Sequence, residues 1–226
     1  MSDNYLVTER NADLVFCIDG TGSMAPYIDS VKKKATEFHQ EFVKAMMAIG
    51  KEITSLRVKV IVFRDYEADG ENAMQISRFF ELPNDGEDYA NFLANVKAEG
   101  GGDAPENGLE ALYFAMKSDF TTGVNDRQVI VLFTDTDALE LGKRSGSSSY
   151  PSDMVDEQGL RDMWACVTQD LKLRERNKRL IIFAPEETEY SKLKPKLGGS
   201  IFHPVKEDGL KDISFDEIMK LIAASM

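Results

Sequence analysis

Short apolar runs rich in β-branched residues alternate with stretches of helical periodicity along most of this 226-residue chain, and that alternation restricts the fold more than any other feature. Residues 12–19 (ADLVFCID) form an apolar run ending in an acid. Ile28, Val31, Ala35, Phe38, Phe42, Ala45 and Ile49 then recur at three- and four-residue spacing, which predicts one long amphipathic helix. Residues 56–66 and 75–82 read as strands joined by a short connection containing Asp69-Gly70, an antiparallel hairpin at a sheet edge. Tyr89 to Val96 and Leu109 to Met116 mark two further helices. Residues 127–135 (RQVIVLFTD) are a second apolar run ending in an acid, a central strand covered on both faces. A helix over 160–171, a strand over 179–184, a short helix from about Glu187, a strand over 200–203 and a closing helix from Phe215 complete the pattern.

The expected fold is therefore α/β: a Rossmann-like open, mostly parallel sheet with helices on both faces and one antiparallel edge strand, in a single domain over 1–226. Residues 138–156 show no periodicity and carry Gly, Ser and Tyr150-Pro151, so they read as a long loop bordering the site and shaping partner choice. With few apolar residues, the loop is expected to be dispensable for folding: replacing 143–152 with a short Gly/Ser linker should leave the melting temperature nearly unchanged.

Open α/β sheets bind ligands beyond the carboxyl ends of their strands, so acids placed there are the first candidates for function. Two runs end in Asp, at Asp19 and Asp135. The first continues as DGTGS, presenting Thr21 and Ser23 on alternate positions of a tight loop, and a third acid, Asp103, closes the loop GGGDAPE. Carboxylates and hydroxyls without Cys or His suit a hard divalent cation, Mg²⁺ or else Mn²⁺ or Ca²⁺, and disfavour zinc. Asp137 reads as a supporting loop acid. The competing reading makes DGTGS an ordinary turn in which Ser23 caps a helix.

These residues resemble the metal-ion-dependent adhesion site of the von Willebrand factor A family, which has a D-x-S-x-S loop after the first strand, a Thr in a mid-chain loop and an Asp at the end of a later central strand. Asp19, Thr21 and Ser23 match the first element, Thr21 keeping a hydroxyl where Ser is usual, and Asp135 in FTDTDA matches the last. The middle element departs: Asp103 stands about where the family has Thr, as in a subset carrying GGD-x-PE. The resemblance runs from about residue 12 to the end. It implies Mg²⁺ held by Thr21, Ser23 and some of Asp19, Asp103 and Asp135, directly or through water, and a protein partner that completes the coordination with a carboxylate. As a ligand, Asp103 makes the site net negative; its alternative role is to cap a helix starting near Pro105.

Catalytic patterns are incomplete. CIDGT (17–21) places Cys17 where haloacid-dehalogenase-like phosphatases have their nucleophilic Asp, so no aspartyl-phosphate can form. Ser23, Asp135 and His203 follow the chain order of an α/β-hydrolase triad, but the G-x-S-x-G elbow is absent and His203 reads as structural. Gly100–Gly102 has no following Lys-Ser or Lys-Thr and reads as a tight turn. The chain is expected to bind rather than catalyse; the alternatives are a metal-dependent phosphohydrolase and a scaffold that has lost its metal.

Net charge weighs against two other classes of partner. With 39 acidic against 27 basic residues the chain carries −12, which disfavours nucleic acid and anionic membranes. The one basic stretch, 171–180, reads as a solvated helix end, with a docking patch as the secondary reading. No 18-residue apolar run is present and MSDNYLVTER lacks a leader pattern, so a cytoplasmic location is expected. Cys17 and Cys166 show no metal or redox spacing and read as core residues.

Overall fold

The computed structural model describes residues 10–102, 104–168, 170–206 and 214–226. Seven strands form one sheet: β1 Asn11–Asp19, β2 Ser55–Phe63, β3 Met74–Ile76, β4 Phe80–Leu82, β5 Arg127–Phe133, β6 Lys178–Pro185 and β7 Ser200–Val205. Their order is β3-β2-β1-β5-β6-β7, with β4 also paired to β2. Every ladder between β2 and β7 is parallel; β3 and β4 run antiparallel to β2. From β1 the chain goes to β2 on one side and later returns as β5 on the other. The gap beyond the carboxyl ends of β1 and β5 is therefore the topological switch point of the sheet.

Both central runs are apolar over 14–18 and 129–133 because both faces are covered there. Leu14, Phe16 and Ile18 of β1 and Val129, Val131 and Phe133 of β5 join one core; Val15, Cys17, Ile130 and Leu132 join the other. The first core is closed by α1 Ala25–Lys34, α2 Phe38–Ala48, α4 Gly86–Asn95 and α8 Phe215–Ser225. The second is closed by α5 Gly108–Met116, α6 Glu157–Trp164 and α7 Glu189–Leu193. One-turn helix α3, Tyr66–Asp69, follows β2. Helix α5 is buried on nearly every side, as its almost wholly apolar sequence requires. Among the described residues no helix is long and apolar enough to cross a membrane.

Local geometry changes several expected boundaries. The long first helix is two helices: i→i+3 bonds from Ala35 to Lys32 and from Phe38 to Ala35 tighten the chain between them. After that break Phe38, Phe42 and Met46 face the core and Ile49 is 43% exposed. Helix α6 stops at Trp164, well short of Leu171. Cys166 takes φ +56 there, its N–H meets Met163 O, and the Val167 N–H meets Asp162 O. This is a Schellman stop made without glycine, so no residue type announced it. The basic stretch 171–180 is consequently turn and strand, not a helix end, and Lys178 is buried with its ammonium paired to Glu175. No helix starts near Pro105; α5 begins at Gly108.

The edge strand is interrupted by a bulge. Val58 pairs with Phe80 but Ile61 with Ile76, so residues 77–79 face only residues 59–60. Ser77 repairs the ladder: its hydroxyl accepts the Val60 N–H at 2.9 Å and donates to Arg78 O at 2.7 Å. Ser77→Ala is expected to leave that buried N–H unpaired and to cost about 1–3 kcal/mol in a denaturant melt. An unchanged midpoint would show that the Ser77 hydroxyl does not carry the repair.

Candidate metal centre

Asp19 ends β1 and is fully buried; Asp135 lies two residues beyond the last residue of β5, so the second run stops short of its acid. Backbone and side chains link the two across the switch point. Asp19 Oδ1 accepts the Thr21 N–H at 2.9 Å and its Oδ2 accepts the Thr134 hydroxyl at 2.7 Å. Thr21 Oγ1 and Ser23 Oγ are 3.2 Å apart, and Ser23 Oγ donates to Asp135 Oδ1 at 3.1 Å. Ser23 therefore caps nothing: Met24 occupies the cap position of α1 and supplies no side-chain bond. The expected capping role of Ser23 is therefore not found, although Gly22–Met24 do form a single 3-10 turn.

The spacing of this chain of oxygens fits a hard cation. Bonds of about 2.1 Å in octahedral geometry separate neighbouring ligand oxygens by about 3.0 Å, close to the Thr21–Ser23 and Ser23–Asp135 distances. Among the described residues no three Asp, Glu, His or Cys side chains come together as metal ligands, so the described set is two carboxylates and two hydroxyls. Asp103 lies outside the described residues. Asp137 is structural: its Oδ1 accepts the N–H groups of Ala138 and Glu189, fastening the β5 loop to α7. His203 stacks on Phe183 and the Ser23 hydroxyl meets only Thr21 and Asp135, so no hydrolase-like triad forms.

Electrostatics at the site are set by burial. Loss of water pushes the Asp19 carboxyl up to about 6, with the Asp135 charge adding to the rise and hydrogen bonds from Thr134 and Thr21 opposing it. Glu106, only 2% exposed, is pushed up to about 9 by burial and by the charges of Asp19, Asp65 and Asp69. Among the described residues, four buried side-chain atoms lack hydrogen-bond partners, namely Glu106 Oε2, Asn107 Nδ2, Glu110 Oε2 and Tyr190 Oη. Glu106 and Asn107 precede α5 and Glu110 lies in its first turn, and a Cβ added at Gly108, the first residue of α5, would strike Tyr190 Oη.

Several supporting residues were absent from the sequence reading. Arg64, 2% exposed, donates to the carbonyls of Gly20, Asn72, Lys97 and Glu99 and so ties the β1 loop to the Gly-rich loop. Asp69 Oδ2 accepts the Gly101 N–H at 2.9 Å. Gly101 has φ +95, and an added Cβ would strike the Thr21 methyl and come within 2.8 Å of Glu106 Oε1, so only glycine closes this turn. Asp65 is gripped by Arg144 from the long loop through contacts of 2.5–3.0 Å. The available signal was position, since Arg64 and Asp65 directly follow a parallel strand next to β1.

Comparison with known proteins agrees with this architecture. The chain aligns, at a TM-score of 0.54 and 10% identity, with the crystal structure of the pilus adhesin SpaC from Lactobacillus rhamnosus GG in its open conformation. The alignment covers 95% of this chain but only 30% of the adhesin. The crystal structure of the SpRpn10 VWA domain aligns at a TM-score of 0.50 and 12% identity over 94% of both chains. No curated protein matches the sequence. A family model for the von Willebrand factor type A domain matches residues 14–138, more than half of the chain, and takes in most of β1, all of β5 and both acids of the switch point; the chain belongs to that family.

Proposed function

We propose that the chain is a divalent-cation-dependent protein-binding module that holds Mg²⁺ at the β1–β5 switch point and engages a partner through it. The observation that carries this reading is the Thr21–Ser23–Asp135 run of oxygens at octahedral spacing, backed by the buried charge of Asp19. Thr21 and Ser23 supply neutral oxygens and Asp135 a charged one, while both Asp19 oxygens already accept hydrogen bonds and hold the loop in place. Asp103, on the Gly-rich loop, is the remaining candidate ligand. Mn²⁺ suits the same donors; Ca²⁺ would need more oxygens at longer range. A carboxylate from the partner protein would complete the coordination. The pilus adhesin among the structural neighbours is by its name a binding protein, and binding rather than catalysis is the role we assign here. A cytoplasmic location is part of the same proposal.

The test is affinity capture by immobilised wild-type protein with Mg²⁺, with chelator, and by Asp135→Ala with Mg²⁺. A specific protein retained only in the first arm is the expected result. Capture that ignores both chelator and substitution would defeat the metal-dependent reading. Mg²⁺-dependent hydrolysis of a phosphate ester that disappears in Asp19→Ala would replace it with the phosphohydrolase.

A further inference from the structure

The amino edge of the sheet, at the far end of the strands from the candidate metal centre, gathers arginines that the fold does not neutralise. β1, β5 and β6 are adjacent and parallel, and their register sets Ala12 beside Arg127 and Val129 beside Arg179. Side chains alternate along a strand, so Arg127 and Arg179 share the face of Ala12, Val129 and Ile181. Arg10 enters two residues ahead of Ala12, near enough for its charge to act on Arg127. Burial, then the charges of Arg179 and Arg10, hold the Arg127 guanidinium below its ordinary value. Like charges on neighbouring strands destabilise a sheet unless an anion meets them.

The helix end beside them takes up only part of this set. Arg127 Nε donates to Met226 O at 2.6 Å and Arg179 Nε to Ser225 O at 3.0 Å, as cations do at the C-terminus of a helix, here α8. Nη1 of each turns to its own segment, Arg127 to Asp126 O, Arg179 to Lys178 O and to Arg176 O. Among the described residues no acceptor meets Nη2 of either one or the Arg10 guanidinium. No carboxylate there pairs with these three or with exposed Arg174 and Arg176 of the turn leading into β6. The nearby acids are spent: Asp126 accepts from the Asn11 side chain and the Gly123 N–H, and Glu175 is paired with Lys178.

In a chain of net charge −12 this edge reverses the sign of the surface. The field of the whole protein repels an acidic partner elsewhere and so orients it towards this edge. Strands about 4.8 Å apart make the three arginines about 10 Å wide, the reach of three or four residues of extended chain. A long polyanion such as nucleic acid would overrun the patch onto a molecule of its own sign. Free guanidinium nitrogens take carboxylates of a short segment without that conflict.

We propose that this edge docks a short acidic segment of a partner protein, its carboxylates held by Arg10, Arg127 and Arg179 with Arg174 and Arg176 beside them, independently of the metal centre. The test is fluorescence anisotropy of a fluorescein-labelled hexaglutamate peptide in chelator, which keeps any metal-bridged contact out of the measurement. Wild type is expected to bind at low salt and to weaken as salt rises. Arg10→Gln combined with Arg176→Gln removes two side chains that make no hydrogen bond among the described residues; it should melt with wild type and bind about tenfold more weakly. Lys97→Gln combined with Lys143→Gln removes the same charge from exposed positions in loops at the carboxyl edge and should bind within twofold of wild type. Absence of wild-type binding at low salt overturns the proposal, as does an equal loss in both double variants, which would mark net charge and not a site. Tighter binding of a six-nucleotide single strand than of the peptide overturns the acidic-segment partner in favour of nucleic acid.

Discussion

Asp19→Asn is expected to erase the rise in melting temperature that Mg²⁺ gives the wild-type protein, and to melt no lower than wild type in chelator. Both effects follow from a buried carboxylate facing a second one. A cation at 100 times its dissociation constant stabilises the native state by about 2.7 kcal/mol, which for a domain of this size is a shift of roughly 5–10 °C. Without metal the same carboxylate is a liability. Its folded-state pKa of about 6 lies above the ordinary aspartate value of 3.8, so this one group carries no penalty below that value and destabilises the metal-free protein progressively as the pH rises from there through about 6. The loss at neutral pH is on the order of 2–3 kcal/mol. Asn keeps an acceptor for the Thr21 N–H and removes the charge, so its advantage over wild type in chelator should be absent below about pH 4, open as the pH rises towards about 6 and stay constant above that. Superimposable melting curves for wild type in millimolar Mg²⁺ and in chelator would eliminate the site.

Replacing residues 143–152 with a Gly/Ser linker should lower the melting temperature by on the order of 10 °C, the reverse of what the sequence led us to expect. The segment holds no helix or strand, as expected of a loop, yet it is strapped to the body of the protein. Arg144 forks onto Asp65, whose side chain is 3% exposed, and reaches Glu67 at 2.5 Å. The Tyr150 hydroxyl donates to the fully buried Glu110 at 2.8 Å and its ring packs edge-on against Tyr66. Ser147 donates to Tyr66 O. Removing Arg144 strands a buried carboxylate, a loss of about 3 kcal/mol by itself. Arg144→Ala should reproduce much of the effect, and Arg144→Lys should rescue it only in part, since an ammonium cannot span both Asp65 oxygens. A linker variant that melts with the wild type would return the segment to the status of an ornament.

The sequence by itself determined the layered sheet, the two central strands and the four described candidate ligands. Each of these is written locally: an apolar run longer than a turn must be covered on both faces, and an acid at its end must emerge at the sheet's carboxyl edge. The tertiary structure alone decided what those ligands lean on. Asp69 meets Gly101 across 32 residues, Arg144 meets Asp65 across 79, and Thr134 meets Asp19 across 115. No periodicity or motif encodes such pairs, because a hydrogen bond between distant segments depends on where the crossovers bring them. The same limit explains the loop: low apolar content correctly announced irregular backbone, but anchorage by an Arg fork and a Tyr hydroxyl costs few apolar residues.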